Sequence, residues 1–188
     1  RWGAPDEAHP GVSIGCDNYQ GGQSITSHLI GLGKTSFAFI GDNGNHAPEF
    51  KARFNGYFET LQSHGLDQSS VQRNAISTED AGSDAVKSLL QSGELPQAIV
   101  CASDLIAMGV LRALRQAKVN VPDDVAVVGY DNIAVSAYTT PSLTTVQQNT
   151  KLAGELLVNT LLKAINNEDV QDYLMPADII IRQSCGSE

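Results

Sequence analysis

The sequence predicts an α/β protein built on a doubly wound parallel sheet, and two observations support this fold class. First, short apolar runs alternate with helical segments between residues 36 and 131, in the order β-α-β-α-β-α-β. Second, runs such as residues 125–130 are apolar at nearly every position, which is typical of strands covered by helices on both faces. The crossovers should be right-handed, so that the loops leaving the strands open on one edge of the sheet.

The chain is predicted to begin with a loop, followed by a buried strand over residues 12–16. Asp17 and Asn18 come after this strand and are predicted to form a turn and the cap of a helix over residues 21–32. Gly33 occupies the position of a helix C-cap glycine. The two glycines at the start of the helix match no phosphate-loop spacing, so close packing against another helix explains them better.

The middle of the chain continues the alternation. Residues 36–40 form the next predicted strand, and a long polar loop separates it from a helix over residues 48–64, whose aromatic side chains recur at helical spacing. Residues 71–76 are a weaker strand candidate because the run contains several polar residues. A helix over residues 81–91 then presents one apolar face.

The last part of the sheet is predicted around two strongly apolar strands, residues 98–101 and 125–130. Between them lies a helix over residues 105–117, with Ser103 or Asp104 as its cap. This helix is apolar nearly all round, which core packing explains directly and contact with a partner would also explain. The remaining predicted elements are a helix over residues 149–165, an extended pair at residues 173–174 and a strand over residues 179–182.

Composition narrows the function classes. The 188 residues carry a net charge of -9, which opposes binding of a phosphate backbone by this region. No apolar run approaches the roughly 20 residues of a membrane helix, and no signal-peptide pattern opens the sequence. The three cysteines have no Cys-x-x-Cys spacing and the four histidines no ligand spacing, so buried reduced thiols in a cytosolic protein, without metal or cofactor, are expected.

Two charged residues are candidates for ligand binding. Asp131 follows the strand over residues 125–130, at the sheet edge where ligands bind in open α/β folds. The alternative interpretation is that Asp131 caps the following turn. Arg53 lies in the first turns of the helix over residues 48–64 and could direct its guanidinium fork at a hydroxyl, carboxylate or phosphate. The alternative for Arg53 is a solvated arginine on the helix surface.

Seven segments, taken in order and spacing, resemble the effector-binding region of the LacI/GalR family of bacterial transcription repressors. No segment is diagnostic alone, but together they cover the chain from about Val12 to Cys185. The segments are residues 17–22, 28–34, 37–41, 53–57, 102–109, 122–131 and 141–146.

The resemblance implies a periplasmic-binding-protein-like (type I) fold of two α/β lobes joined by three crossings, near residues 33–35, 146–148 and 167–172. Residues 34–146 and 169–188 would form a complete C-terminal lobe. Residues 1–33 and 149–168 would be the remnant of an N-terminal lobe whose first part is absent, together with the helix-turn-helix domain that such repressors carry. Operator DNA would then be bound only through that absent domain.

The resemblance also implies roles for individual residues. Arg53 matches a cleft arginine, Asp131 the carboxylate that accepts effector hydroxyls, and Gln148 a polar contact at the second crossing. Ser103 stands where relatives often carry asparagine, and Arg1 could match a further cleft arginine. Ser77 falls near the position at which many relatives carry an aromatic platform, and this weakens the case for a purine ligand. The resemblance also implies a dimer interface that would include Met108, Leu111 and Tyr138.

The sequence therefore predicts the effector-binding and dimerising part of a cytoplasmic sugar-responsive repressor that is not an enzyme. A solute-binding protein of a sugar transporter would share the fold and is the alternative. An enzyme on a doubly wound sheet is a third hypothesis. It is disfavoured because no nucleophile elbow, phosphate loop or paired carboxylates accompany Asp42 and His46.

Overall fold

The computed structural model describes residues 1–3, 11–42, 44, 47–66, 71–73 and 75–187. Short 3₁₀ turns at Ala134–Tyr138 and Gln183–Cys185 supplement the regular elements. In chain order the helices and strands are β1 (Ile14–Cys16), α1 (Asn18–Gly31), β2 (Phe37–Ile40), α2 (Pro48–Ser63), β3 (Val71–Arg73), α3 (Glu79–Ser92), β4 (Ala98–Cys101), α4 (Asp104–Gln116), β5 (Ala126–Asp131), β6 (Thr144–Gln147), α5 (Thr150–Ile165), β7 (Tyr173–Met175) and β8 (Asp178–Ile180).

The strands form a six-stranded sheet and a two-stranded sheet. The larger sheet has the order β3-β2-β4-β5-β6-β8 and is parallel except for the antiparallel edge strand β8. The smaller sheet consists of β1 and β7, paired in parallel. The predicted α/β fold class with a doubly wound parallel sheet is confirmed.

The strand order reverses between β2 and β4, and this point determines where a crevice can form. The chain passes from β2 outward to β3 and then returns to β4 on the other side of β2. Right-handed crossovers therefore place α2 on one face of the sheet and α3 and α4 on the other. Ligands in open α/β sheets bind beyond the carboxyl ends of the strands at such a reversal.

Local sequence signals account for most of the helix starts. Asp17, Thr78, Ser103 and Asn149 each accept a hydrogen bond from the first turn of the helix that follows, as N-cap residues do. Because Asp17 caps α1, the helix begins at Asn18, three residues earlier than predicted. The core of the larger sheet is formed by the apolar strands together with the inner faces of α1, α2, α3 and α4.

Helices α1 and α2 touch backbone to backbone through glycines. A Cβ atom at Gly22 would lie 2.2 Å from the carbonyl oxygen of Arg53, and one at Gly56 would lie 2.1 Å from that of Tyr19. Neither position has space for a side chain. The expectation that the α1 glycines serve close helix packing is confirmed for Gly22, and this packing brings Arg53 against α1.

The packing differs from the predicted lobe boundaries. Ile25 and Leu29 of α1 belong to the core of the larger sheet, so residues 1–33 do not form one unit. Strand β7 pairs with β1 in the smaller sheet, so residues 173–175 do not belong with the larger sheet, where the predicted segment 169–188 had placed them. The chain passes between the sheets directly after β1, after β6, and between β7 and β8, so only the crossing predicted near residues 146–148 is in place.

Candidate functional site

Asp131 ends β5 in an unusual backbone conformation. The φ angle is 114° at Asp131 and 53° at Asn132, values that side-chain-bearing residues rarely adopt. The Asp131 carboxylate accepts a hydrogen bond of 2.5 Å from Nε2 of Gln148, the residue directly after β6. Because its side chain reaches across to the end of the neighbouring strand, Asp131 does more than cap the following turn.

Arg53 is a buried residue, with 4% of its surface exposed, so the alternative of a solvated helix arginine is wrong. Its Nε donates a hydrogen bond of 2.8 Å to Oδ1 of Asn18, and its Nη1 donates to the carbonyl oxygen of Ala102. The same Nη1 lies 3.4 Å from Oδ1 of Asp131. The guanidinium carbon lies 3.7 Å from the ring centre of Tyr130, a cation–π contact.

Asn18, Arg53, Asp131 and Gln148 are connected by these contacts, and with Ser103, which follows Ala102 in the chain, we call them the strand-end cluster. Arg53 reaches it from α2, and Asp131 from β5. Asn18 follows β1 and Gln148 follows β6, both at passages between the two sheets. The cluster therefore lies at the carboxyl ends of the parallel strands and at the junction of the two sheets.

Burial and the neighbouring charge of Arg53 shift the pKa of Asp131 in opposite directions. Loss of hydration raises the pKa of the Asp131 carboxyl, and the positive charge of Arg53 and the hydrogen bond from Gln148 partly offset this rise. The carboxylate keeps 28% of its surface exposed, whereas Arg53 is almost completely covered. A partly exposed acceptor held by a buried cation is an arrangement suited to hydroxyl donors from a small polar molecule.

Ser103 contributes through its position beside Ala102. Its buried hydroxyl caps α4 by accepting from the amide of Ile106 at 3.4 Å, and it lies 2.8 Å from the hydroxyl of Ser77. Ser77 itself is exposed. The place expected for an aromatic platform thus carries a pair of small hydroxyl side chains.

Arg1 does not join the strand-end cluster, contrary to the sequence interpretation. Residues 1–3 run parallel to β1, and the carbonyl oxygen of Arg1 accepts from the amide of Ile14 at 2.9 Å. Arg1 Nε donates to the hydroxyl of Ser13 at 3.0 Å. Chain direction therefore places Arg1 at the amino end of β1, whereas Asn18 follows the carboxyl end.

Three residues around the site were missed as functional candidates. Asn18 and Asp104 were interpreted only as cap or turn residues, and Tyr130 only as a core residue of β5. Their roles depend on contacts with distant parts of the chain: Asn18 holds Arg53, and Asp104 bonds residues near Asp131. The available signal for Asn18 was a pair of polar residues, Asp17 and Asn18, after an apolar strand.

Residues predicted for a dimer interface line one surface hollow. Met108, Leu111 and Tyr138 surround a hollow of about 280 Å³ together with Arg112 and Arg115. Tyr138 is 84% exposed, whereas Leu111 is largely buried. The structure thus brings the three predicted residues together on a surface that combines apolar and cationic groups.

Other site types find little support in the part of the chain that the structure describes. There, no group of three or more His, Cys, Asp or Glu side chains could hold a metal ion. No described helix has the length and apolarity to cross a membrane. Cys16, Cys101 and Cys185 are free and buried, as the sequence predicted.

Comparison with known proteins identifies the family. A model described as a periplasmic binding protein-like domain matches residues 26–185. The chain belongs to this family. Family members similar to it include the HTH-type transcriptional repressor PurR of Glaesserella parasuis, 31% identical over 97% of the chain and 56% of that protein. The ribose operon repressor of Escherichia coli is 35% identical over 87% of the chain and 49% of that protein.

Solved structures of transcription regulators are similar to this chain in both fold and sequence. The complex of the transcriptional regulator CelR with cellobiose is 32% identical, with a TM-score of 0.85, over 92% of the chain and 54% of that protein. The lac repressor dimer bound to operator is 26% identical, with a TM-score of 0.86, over 92% of the chain and 52% of that protein. The resemblance to LacI-type repressors is confirmed, and the chain spans about half the length of the curated relatives it matches.

Proposed function

We propose that this chain is the effector-binding and dimerisation region of a bacterial transcription regulator of LacI/GalR type. Its ligand is a small sugar or sugar-like molecule bound at the strand-end cluster. The observation that carries this proposal is the contact between the buried guanidinium of Arg53 and the partly exposed carboxylate of Asp131. The CelR complex with cellobiose and the ribose operon repressor support the sugar class.

The cluster offers the groups that a polyol needs. Asp131 accepts hydrogen bonds from hydroxyl groups, Gln148 both donates and accepts, and Arg53 donates from a fixed orientation. A ligand that mismatches one of these groups leaves a buried polar atom unsatisfied, at about 1–3 kcal/mol each. The small Ser77 and Ser103 side chains offer hydroxyls where a flat nucleobase would need a stacking ring.

The regulatory mechanism is linkage between two sites. An effector at the junction of the two sheets stabilises one relative orientation of the structural units around it. Its differential affinity for the two orientations determines how far DNA affinity shifts, typically by about 1–3 kcal/mol. The net charge of -9 keeps this region away from DNA phosphates. We therefore assign operator binding to a helix-turn-helix domain outside this region. The proposed regulator acts in the cytoplasm and is not an enzyme.

The proposed dimer uses the hollow around Met108, Leu111 and Tyr138. An exposed tyrosine beside apolar side chains and arginines has the composition of an interface core. The lac repressor structure, which resembles this chain, is a dimer. We place the homodimer contact of this protein on the surface around Met108, Leu111 and Tyr138.

A ligand screen on the protein at its natural length tests the proposal. D-ribose, hexoses, cellobiose and purine bases are compared by thermal shift, because binding to the native state alone raises stability, by about 2.7 kcal/mol at 100 times Kd. We expect a sugar to raise Tm and the effect to disappear in Asp131→Asn and Arg53→Ala. Binding of a purine base alone would reassign the ligand class. A sugar that bound both variants as tightly as the wild type would exclude the strand-end cluster as the site.

A further inference from the structure

The turn that carries Asp131 is held in a conformation that its own residues disfavour. Asp131 and Asn132 both have positive φ angles, 114° and 53°, although neither is glycine. Such conformations persist only where surrounding contacts fix them. The direction of the Asp131 side chain therefore depends on whatever anchors this turn.

Three contacts anchor the turn from outside. The amide of Ile133 donates to Oδ2 of Asp104 at 2.9 Å. The amide of Asn132 donates to the hydroxyl of Thr145 at 3.3 Å. The side-chain oxygen of Asn132 accepts from Nη2 of Arg182 at 2.7 Å.

Two of these anchors are joined through one carboxylate. The hydroxyl of Thr145 donates to Oδ1 of Asp104 at 2.6 Å, so each oxygen of Asp104 accepts from a different donor. Thr145 has a single hydroxyl proton, and giving it to Asp104 leaves its oxygen lone pairs for the amide of Asn132. A neutral carboxyl or an amide at residue 104 would place a hydrogen against one of these donors.

The Asp104 carboxylate packs against Gly129 of β5, a position that has no space for a side chain. A Cβ atom at Gly129 would lie 2.3 Å from Oδ1 of Asp104, so a side chain there would displace the carboxylate. Asp104 itself is fully buried in the first turn of α4. It thus connects α4 to the turn after β5 and to Thr145 of β6.

We propose that Asp104 is a positioning residue for ligand binding: with Thr145 it fixes the turn that directs the Asp131 carboxylate toward Arg53. This inference rests on the proposed function of the strand-end cluster. Asp104 makes no ligand contact of its own in this role. It acts through the backbone of Asn132 and Ile133.

The charges around Asp104 make the anchor sensitive to pH. Burial raises the pKa of Asp104 to about 6, the bonds from Thr145 and Ile133 lower it, the nearby Asp131 raises it, and Arg182 lowers it. Cys101 of β4 also faces this charge, and burial keeps that thiol protonated. The anchor is therefore present at neutral pH and is lost as the solution becomes more acidic.

The test combines a ligand-free and a ligand-bound readout. Thr145→Val removes the hydroxyl with little change in shape, Thr145→Ser retains it, and Asp104→Asn imitates the neutral carboxyl. Thr60→Val is the matched control, because Thr60 is a buried threonine that bonds a carbonyl within α2. Amide NMR spectra between pH 5 and 7.5 and calorimetric titration with D-ribose are recorded for each protein.

The expected results separate this role from simple loss of folding. The Ile133 amide signal should shift with a midpoint near pH 6 in the wild type and not in Asp104→Asn. Asp104→Asn and Thr145→Val should weaken D-ribose binding about tenfold or more, whereas Thr145→Ser and Thr60→Val should stay within about twofold. Unchanged D-ribose affinity in Thr145→Val and Asp104→Asn would overturn the proposal.

Failure of the proposed function is distinguishable from failure of this inference. If the wild type does not bind D-ribose, that result counts against the ligand assignment. The positioning role is then decided by the free protein. Thr145→Val must shift the amide signals of Asp131 and Asn132 relative to the wild type, and unchanged signals there would refute it.

Discussion

Nη1 of Arg53 lies 3.4 Å from Oδ1 of Asp131, although the two residues are far apart in the sequence. Arg53 comes from α2 and Asp131 from the end of β5. The contact forms because close packing of α1 and α2 holds Arg53 in the interior and because the turn after β5 directs Asp131 toward it. A buried cation and a partly exposed acceptor thus meet where the parallel strands end.

Arg53→Lys is expected to weaken ligand binding about tenfold or more despite its conserved charge. Lysine lacks the planar fork that donates to Asn18 and Ala102 and points toward Asp131, so the side-chain oxygen of Asn18 would lose the bond from residue 53. Bonds to charged groups contribute about 1.5–3 kcal/mol each. Isothermal titration measures the change, with the exposed exchange Lys87→Arg as a control. Wild-type affinity in Arg53→Lys would show that the fork geometry is unimportant.

Tyr130→Phe is expected to raise the free energy of unfolding by about 1 kcal/mol. Within the described residues, the buried hydroxyl of Tyr130 has no hydrogen-bond partner. The phenylalanine ring retains the face on which Arg53 lies. Urea unfolding measures the effect. Tyr19→Phe is the control, because the Tyr19 hydroxyl donates to Glu59 and its removal should bring no gain. A destabilised Tyr130→Phe protein would mean that this hydroxyl is satisfied in solution.

The stability of the protein should depend on pH through Asp104. Burial raises its pKa from 3.8 to about 6 in the folded state. Between about pH 4 and pH 6 the folded state then binds more protons than the unfolded chain, so the free energy of unfolding falls as pH rises through this window. The contribution is about 3 kcal/mol.

Asp104→Asn should flatten that part of the pH profile. Urea unfolding of the wild type and the variant at pH 4, 5, 6 and 7 measures the difference. Groups such as His28, whose pKa burial lowers, and Asp131, whose pKa burial raises, are present in both proteins and largely cancel. Identical slopes in the two proteins would show that Asp104 does not titrate in this range.

Tyr138→Asp is expected to shift the protein from dimer to monomer. The substitution removes an exposed aromatic ring from the hollow that Met108 and Leu111 line, and buried aromatic anchors contribute much of the free energy of association at an interface. Sedimentation velocity measures the oligomeric state. Tyr173→Asp is the control, because Tyr173 is an exposed tyrosine on β7, outside this hollow. A dimer that survived Tyr138→Asp would place the interface elsewhere.

The sequence predicted most strands of the larger sheet because their apolar runs report burial on both faces, but it did not predict β6 as a strand of this sheet. Ala98–Cys101 was predicted to the residue, and α5 to within one residue. Lobe membership was predicted poorly. The pairing of Ile14 with Tyr173 and the packing of Ile25 into the larger core depend on long-range contacts, which local periodicity does not encode.

The site was predictable where chemistry follows a strand directly. Asp131 was found from its place after an apolar run, Arg53 from its place in the first turns of a helix, and Gln148 through the family resemblance. The support around them was not predictable: Asp104 acts on Ile133 across 29 residues of sequence, and Asn18 acts on Arg53 across 35. Arg1 was misplaced because its position depends on the direction in which residues 1–3 run beside β1.

The most direct test is a crystal structure of the natural-length protein with the sugar that gives the largest thermal shift. We predict that a ligand hydroxyl lies within hydrogen-bond distance, about 2.5–3.0 Å, of an Asp131 carboxylate oxygen and that a second polar atom of the ligand contacts Arg53 or Gln148. A sugar bound with full occupancy at another surface, with the Arg53 and Asp131 contact unchanged and facing only solvent, would contradict the account.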